Sequence, residues 1–199
     1  MIDNIELIKP LLHFDSDDDY YFLQILQRKK DVKADTNIKC IGSNNNSRLI
    51  KGYYVSSLKY LDDRYYEIQE LCKLFNARAG ICLNKRSYKS SSLNMMVRLA
   101  QTIQSHNYRN AKMWTNVAGV YYPISDKTWI IDIDKEDLLI SKKIEVYINM
   151  QEPKGDKIIA HIPSKNGFHI ITKPFNMYRF KEKFNVNVHK NNPTNLYII

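Results

Sequence analysis

Cysteine is scarce in this chain. Only Cys40, Cys72 and Cys82 are present, and no two of them share C-x-x-C spacing. That excludes a zinc module built on cysteine pairs and a disulfide framework. It fits idle or buried thiols in a reducing compartment. Long apolar runs are also missing, since nothing approaches the roughly 20 residues that cross a bilayer. The first residues, MIDNIELIKPLLHFDSDDD, are acidic and mixed, unlike a secretory leader. The expectation is a cytoplasmic protein with no membrane partner. There is no Walker phosphate loop, and His161 and His189 form no H-x-H pair. A paired-histidine nuclease or rolling-circle initiator therefore ranks last. A helicase, if one is needed, would have to come from another chain.

Acidic residues are outnumbered. The 199 residues hold 30 Lys and Arg against 21 Asp and Glu, a net charge of +9, with a pI near 9.3. Such a balance favours an anionic partner, nucleic acid first. The joint abundance of Lys, Asn, Ile and Tyr would also follow from A/T-rich codons, so charge alone decides nothing. The length suits one sizeable domain or two lobes sharing a core.

Ser16 reads as an N-cap with Asp17 to Asp19 in the first turn. The helix would run to about Lys30 and bury Phe22, Ile25 and Leu26. Residues 31–48 are polar, end in an asparagine run, and read as a long, mobile loop. RLIKGYYV reads as a strand. Ser57 caps an expected helix with Leu58, Leu61, Ile68, Leu71 and Phe75 inward. ARAGICL reads as a strand, and two helices follow, over SSLNMMVRLAQTIQSH and NAKMWTNVAGV. From residue 127 the order is strand (KTWIIDID), helix (SKKIEVYINM, capped by Ser141), strand (KIIAHI), turn and strand (FHIIT). A helix (NMYRFKEKF, capped by Asn176) and short strands VNVH and LYII close the chain. The expected fold class is α+β. A β-α-β-β-α-β lobe over 127–199, RNA-recognition-like (ferredoxin-like), packs with an N-terminal α/β lobe over 1–126.

Chemistry concentrates in the second half. Asp132 and Asp134 sit two apart on an apolar strand, so they share a face. Two carboxylates there repel each other and need a metal, a basic neighbour or water. In IPSKNGFHIIT, the turn from Pro163 to Gly167 offers backbone amides to an anion. Ser164 and Lys165 add a hydroxyl and a positive charge, and His169 follows on the next strand. In a β-α-β-β plan the strand bearing Asp132 is first and the strand bearing His169 is third. Those two are central neighbours, so carboxylates and imidazole would share one open face. A divalent cation on the carboxylates, with a phosphate held by His169, Ser164 and Lys165, suits that arrangement.

These motifs resemble the archaeo-eukaryotic primase superfamily, the primase-polymerases. WIIDID resembles its first motif and SKNGFH its second, and VHKNNPTNLYI occupies the place of its third. The resemblance covers residues 127–198 and extends loosely to FNARAGICLNKRS. It implies a nucleotidyltransferase acting on single-stranded or primer-template nucleic acid with nucleoside triphosphates and Mg2+ or Mn2+. Asp132 and Asp134 would bind the metals and, with His169, form the catalytic set. Ser164, Lys165, Gly167 and His169 would hold the nucleotide. Arg78, Lys85 and Arg86 would line the nucleic-acid path. The third motif departs from the family, because Asn191 stands where the third acid is expected, with Asn192 the other possible position. Asparagine can ligate through its carbonyl oxygen but brings no charge. The alternative is a catalytically inactive nucleotide- or nucleic-acid-binding domain on the same fold. Tyr53, Tyr54, Tyr121 and Tyr122 are candidate stacking surfaces, with packing as the competing role.

Overall fold

The structure is a computed structural model that describes residues 1–29, 47–110, 112–120 and 127–199. Cys40, Tyr121, Tyr122 and all but the end of the expected 31–48 loop lie outside the described residues. Residues 47 and 48 already belong to a strand.

The chain is mixed α+β, with two antiparallel sheets among the described residues. The first half contributes strands β1 (Ile2–Asp3), β2 (Asp19–Arg28), β3 (Ser47–Val55), β4 (Arg78–Ile81) and β5 (Arg86–Ser87). Its helices are α1 (Ile5–Ile8), α2 (Leu58–Phe75), α3 (Tyr88–Gln104) and α4 (Met113–Val120). The second half adds β6 (Trp129–Asp134), α5 (Ser141–Met150), β7 (Ile158–Ser164), β8 (Gly167–Thr172), α6 (Tyr178–Lys183), β9 (Asn187–His189) and β10 (Thr194–Ile198). The larger sheet runs β1-β10-β4-β2-β3, with β5 on β2, and the smaller runs β7-β8-β6-β9.

The expected helix over 17–30 is the strand β2. Tyr20, Tyr21, Phe22, Leu23 and Ile25 are all buried. A strand covered on both faces reads as a continuous apolar run, which periodicity cannot separate from a buried helix. One of the aspartates, Asp18, still caps a helix, but a distant one. Asp18 Oδ1 accepts from the Lys89 N–H at 2.7 Å, beside the Ser87 hydroxyl that accepts from the Ser90 N–H at 3.0 Å. Both sit at the start of α3, where orphan amides need acceptors. The α2 helix forms as expected, but of its expected inward residues Leu58 is exposed and Leu71 and Phe75 are half-buried. Ser57 accepts from the Tyr60 N–H at 3.0 Å, Leu61, Ile68 and Cys72 are buried, and Asn76 ends the helix in the left-handed region at φ 45°. Ser141 is not a cap, since its hydroxyl donates back to the Leu138 carbonyl at 2.9 Å. Asn176 accepts from the Tyr178 N–H at 3.0 Å, but the N-cap of α6 is Met177, one residue later.

The smaller sheet is apolar on one face. Ile131 and Ile133 of β6 and Ile170 of β8 pack with Ile144 and Ile148 of α5 and with Phe180 of α6. Its other face is turned to the larger sheet, where Ile130, Ile162 and Ile171 join a core with Leu23, Ile25 and Leu196. Two buried asparagines tie the halves. Asn4 Nδ2 donates to the carbonyls of Pro163 and Asn195, both at 2.9 Å. Asn84 Nδ2 donates to Thr128 at 3.1 Å and Lys190 at 3.0 Å, while its Oδ1 accepts from the Thr128 N–H at 2.7 Å. The last strand also crosses over. β10 pairs with β1 and β4 in the larger sheet, so the 127–199 unit is not closed on itself.

Candidate functional site

Strands β8, β6 and β9 lie side by side, and their register builds the site. His169 pairs with Asp132, and Asp132 pairs on its other side with Asn187. Directly opposed residues in an antiparallel ladder point to the same face. On β7 the row continues to Ile162. Exposure rises along it: Ile162 is sealed, the His169 and Asp132 side chains are 12% and 31% exposed, and Asn187 is open to solvent. Asp134, two residues past Asp132, is exposed. The expected carboxylates and imidazole therefore converge on one face, at the edge where the packing between the sheets gives way to solvent.

The imidazole is held from both sides. Nδ1 lies 2.9 Å from the Thr194 hydroxyl. Nε2 lies 3.4 Å from Asn195 Nδ2 and 3.5 Å from Asp132 Oδ1. Burial pushes the His169 pKa below its ordinary value, outweighing the pull of Asp132, and His189 and Arg28 push the same way. The ring is thus neutral near pH 7, and its approach to Asp132 is not an ion pair. A neutral ring carries one donor and one acceptor. Thr194 can serve either role at Nδ1, so either tautomer fits.

The hairpin between β7 and β8 turns through Lys165 and Asn166, with Ser164 paired to Gly167. Lys165 is exposed and Ser164 half-buried. Gly167 also pairs with Asp134, and a Cβ on it would lie 1.9 Å from the Ile133 carbonyl oxygen. Only glycine lets β8 approach β6 this closely beside the acidic pair.

Asn191 lies elsewhere. Its Oδ1 accepts from Arg86 at 3.2 Å, and its Nδ2 donates to the Gly119 carbonyl at 2.9 Å. The register puts it beyond the Thr128 end of β6, whereas Asp134 closes the other end. Asn187, not Asn191, is the asparagine beside Asp132. Among the described residues neither Asp132 nor Asp134 pairs with a lysine or arginine, and no three His, Cys, Asp or Glu side chains gather as a metal cluster. Two uncompensated hard oxygens on one face suit a hard divalent cation, with asparagine oxygen and solvent completing its shell.

The expected nucleic-acid residues do not gather here. Arg86 is fully buried, so it can touch no strand. It donates to the Asn84 carbonyl at 2.9 Å and lies over the Phe22 ring. Lys85 pairs with Asp15 and, at 3.2 Å, with Asp19. It lines a cavity of about 420 Å3 with Leu11, His13, Tyr21, Thr128 and Ile171. Arg78 is half-buried opposite Ile198 and Leu26. Tyr53 is buried, and Tyr54 is stacked on Phe22 with centroids 5.4 Å apart, so both serve packing.

Sequence reasoning missed Arg28, Asn187, His189, Thr194 and Asn195. Arg28 was hidden by the helix assigned over it. Asn187 and His189 alternate in VNVH, and pairing that strand beside WIIDID would have found them. Thr194 and Asn195 belong to a strand of the other sheet, which no local pattern reveals.

No protein-family model matches the chain, and neither a curated protein nor a solved structure is similar to it.

Proposed function

We propose that the chain is a primase-polymerase-like nucleotidyltransferase and that its smaller sheet, with strand order second-third-first-fourth, is the ferredoxin-like, RNA-recognition-like arrangement. The single observation that supports the chemistry is the cross-strand pairing of Asp132 with His169, with Asp134 next along the same face. Asp132 and Asp134 would hold Mg2+ or Mn2+, with Asn187 as a neutral oxygen ligand. Bound there, the cation would acidify an attacking 3'-hydroxyl and offset charge on departing pyrophosphate. His169 is placed to donate an N–H to a phosphate oxygen. An arriving triphosphate would draw a proton onto the ring, because nearby negative charge favours the imidazolium. Ser164, Lys165 and the hairpin amides would orient the same group. Gly167 keeps space beside Asp134.

The test is primer extension with Mn2+, labelled nucleotides and a primer-template. Wild type should extend, and Asp132→Asn should lose on the order of 10³-fold in rate, about 4 kcal/mol of transition-state stabilisation. Its melting temperature should not fall, since no cation partner of Asp132 is lost. Absence of extension by wild type, with oligonucleotide binding intact, overturns the enzymatic reading.

A second reading is a non-catalytic nucleic-acid-binding domain. The asparagine paired with Asp132, where a third carboxylate would strengthen a metal site, favours it.

A further inference from the structure

A group of cations lies on the hairpin of α3 and α4. Between Glu70 and Asp126 the sequence contains no acidic residue. A cavity of about 250 Å3 opens where α3 ends and α4 begins, lined by Arg98, Arg109 and Lys112 together with Gln101, Asn107 and Asn116. Three positive side chains converge with four amides, Asn110 being the fourth, and no carboxylate is among the described lining residues. Neither Arg109 nor Lys112 forms an ion pair among the described residues.

The connection is built rather than loose. Thr102 donates its hydroxyl hydrogen to Asn110 Oδ1 at 3.1 Å, and the Asn107 N–H donates to the Thr102 carbonyl at 2.8 Å. Asn107 Oδ1 accepts from the Arg109 N–H at 3.2 Å. Tyr108, beside Arg109, is 68% exposed. Cations around a pocket suit phosphate oxygens, which arginine meets with paired donors. An exposed ring next to them suits an unstacked base.

We propose that the α3–α4 pocket binds a backbone phosphate of a single-stranded nucleic acid, with Tyr108 stacking on a neighbouring base. The proposal rests on the nucleic-acid part of the preceding reading and not on nucleotidyl transfer. It moves the expected contact from Arg78, Lys85 and Arg86 to Arg98, Arg109 and Lys112.

The test is fluorescence anisotropy of the full chain with a fluorescein-labelled oligo-dT across a salt series. Arg109→Glu with Lys112→Glu should weaken binding about tenfold or more near 0.1 M salt. The log-log salt slope should shrink by about 1.4, about 0.7 for each lost contact on a single strand. Tyr108→Ala should weaken binding about fivefold or more. A matched reversal, Lys142→Glu with Lys143→Glu on the exposed side of α5, should have a clearly smaller effect. Equal weakening by the two double variants overturns the pocket and leaves the nucleic-acid reading standing. No oligo-dT binding by wild type overturns both. Inorganic pyrophosphate competing as well per phosphate as oligo-dT, or tighter binding to phosphatidylserine vesicles, overturns the strand assignment.

Discussion

Strands β2 and β6 hold the same position in their sheets, with neighbours on both sides, yet they have opposite fates. On β2, Tyr21, Leu23 and Ile25 enter the main core, while Tyr20 and Phe22 enter a second cluster with Ala118 of α4. Both faces are covered by hydrocarbon. On β6, Ile131 and Ile133 meet α5 and α6, but the other face starts apolar at Ile130 and turns acidic at Asp132 and Asp134. The larger sheet covers only the first part of that face. A central strand can carry charge where its covering layer stops short, because only there does water or an ion reach the carboxylates without a full desolvation cost.

The sharpest way to break this contrast is truncation on each strand. Leu23→Ala removes a fully buried side chain and should cost about 2–5 kcal/mol, read from the denaturant midpoint. Where the variant stays folded, its primer extension should match wild type. Asp132→Asn should do the reverse. An Asp132→Asn loss of stability as large as that of Leu23→Ala would mean that β6 is structural on both faces.

Gly167→Ala mixes the two behaviours. The added Cβ meets the Ile133 carbonyl oxygen, so β8 must shift away from β6. The expected loss is about 1–3 kcal/mol, as for other overpacking changes. Unlike Leu23→Ala, it should also reduce extension per folded molecule, because the shift moves His169 relative to Asp132. Full activity at unchanged melting temperature would show that the close approach does not position the site.

The second half was legible in the sequence because the cover on one face of its strands stops short, from Ile130 to Asp134 on β6. In WIIDID and FHIIT the polar residues mark where burial ends, so the sequence alone places Asp132, Asp134 and His169 together. The first half was not legible in the same way. YYFLQIL is apolar on both faces and carries no period, and within the preceding DSDDD it is Asp18 that caps a helix, one that starts at Tyr88 rather than at Asp17. Arg86 shows a further limit. A charge in sequence reads as surface, but this one is buried against Asn84, Asn191 and Phe22. The exposed cations at Arg109 and Lys112 look no different in the sequence.

The finest test separates the two asparagines, Asn187 and Asn191. Asn187→Asp places a third carboxylate opposite Asp132. Like charges directly opposed in a sheet destabilise by about 0.2–1 kcal/mol, so metal-free protein should melt slightly lower than wild type. With millimolar Mn2+ the sign should reverse, because a ligand that binds the folded form stabilises it by mass action and the new charge tightens that binding. Asn191→Asp should behave differently. Its carboxylate would meet the Arg86 guanidinium, which already donates to Asn191 at 3.2 Å, and any change in melting should be the same with and without Mn2+. A Mn2+-dependent reversal at Asn191 and none at Asn187 would return the third ligand to the β9–β10 connection and sink the assignment made from the β6–β9 register.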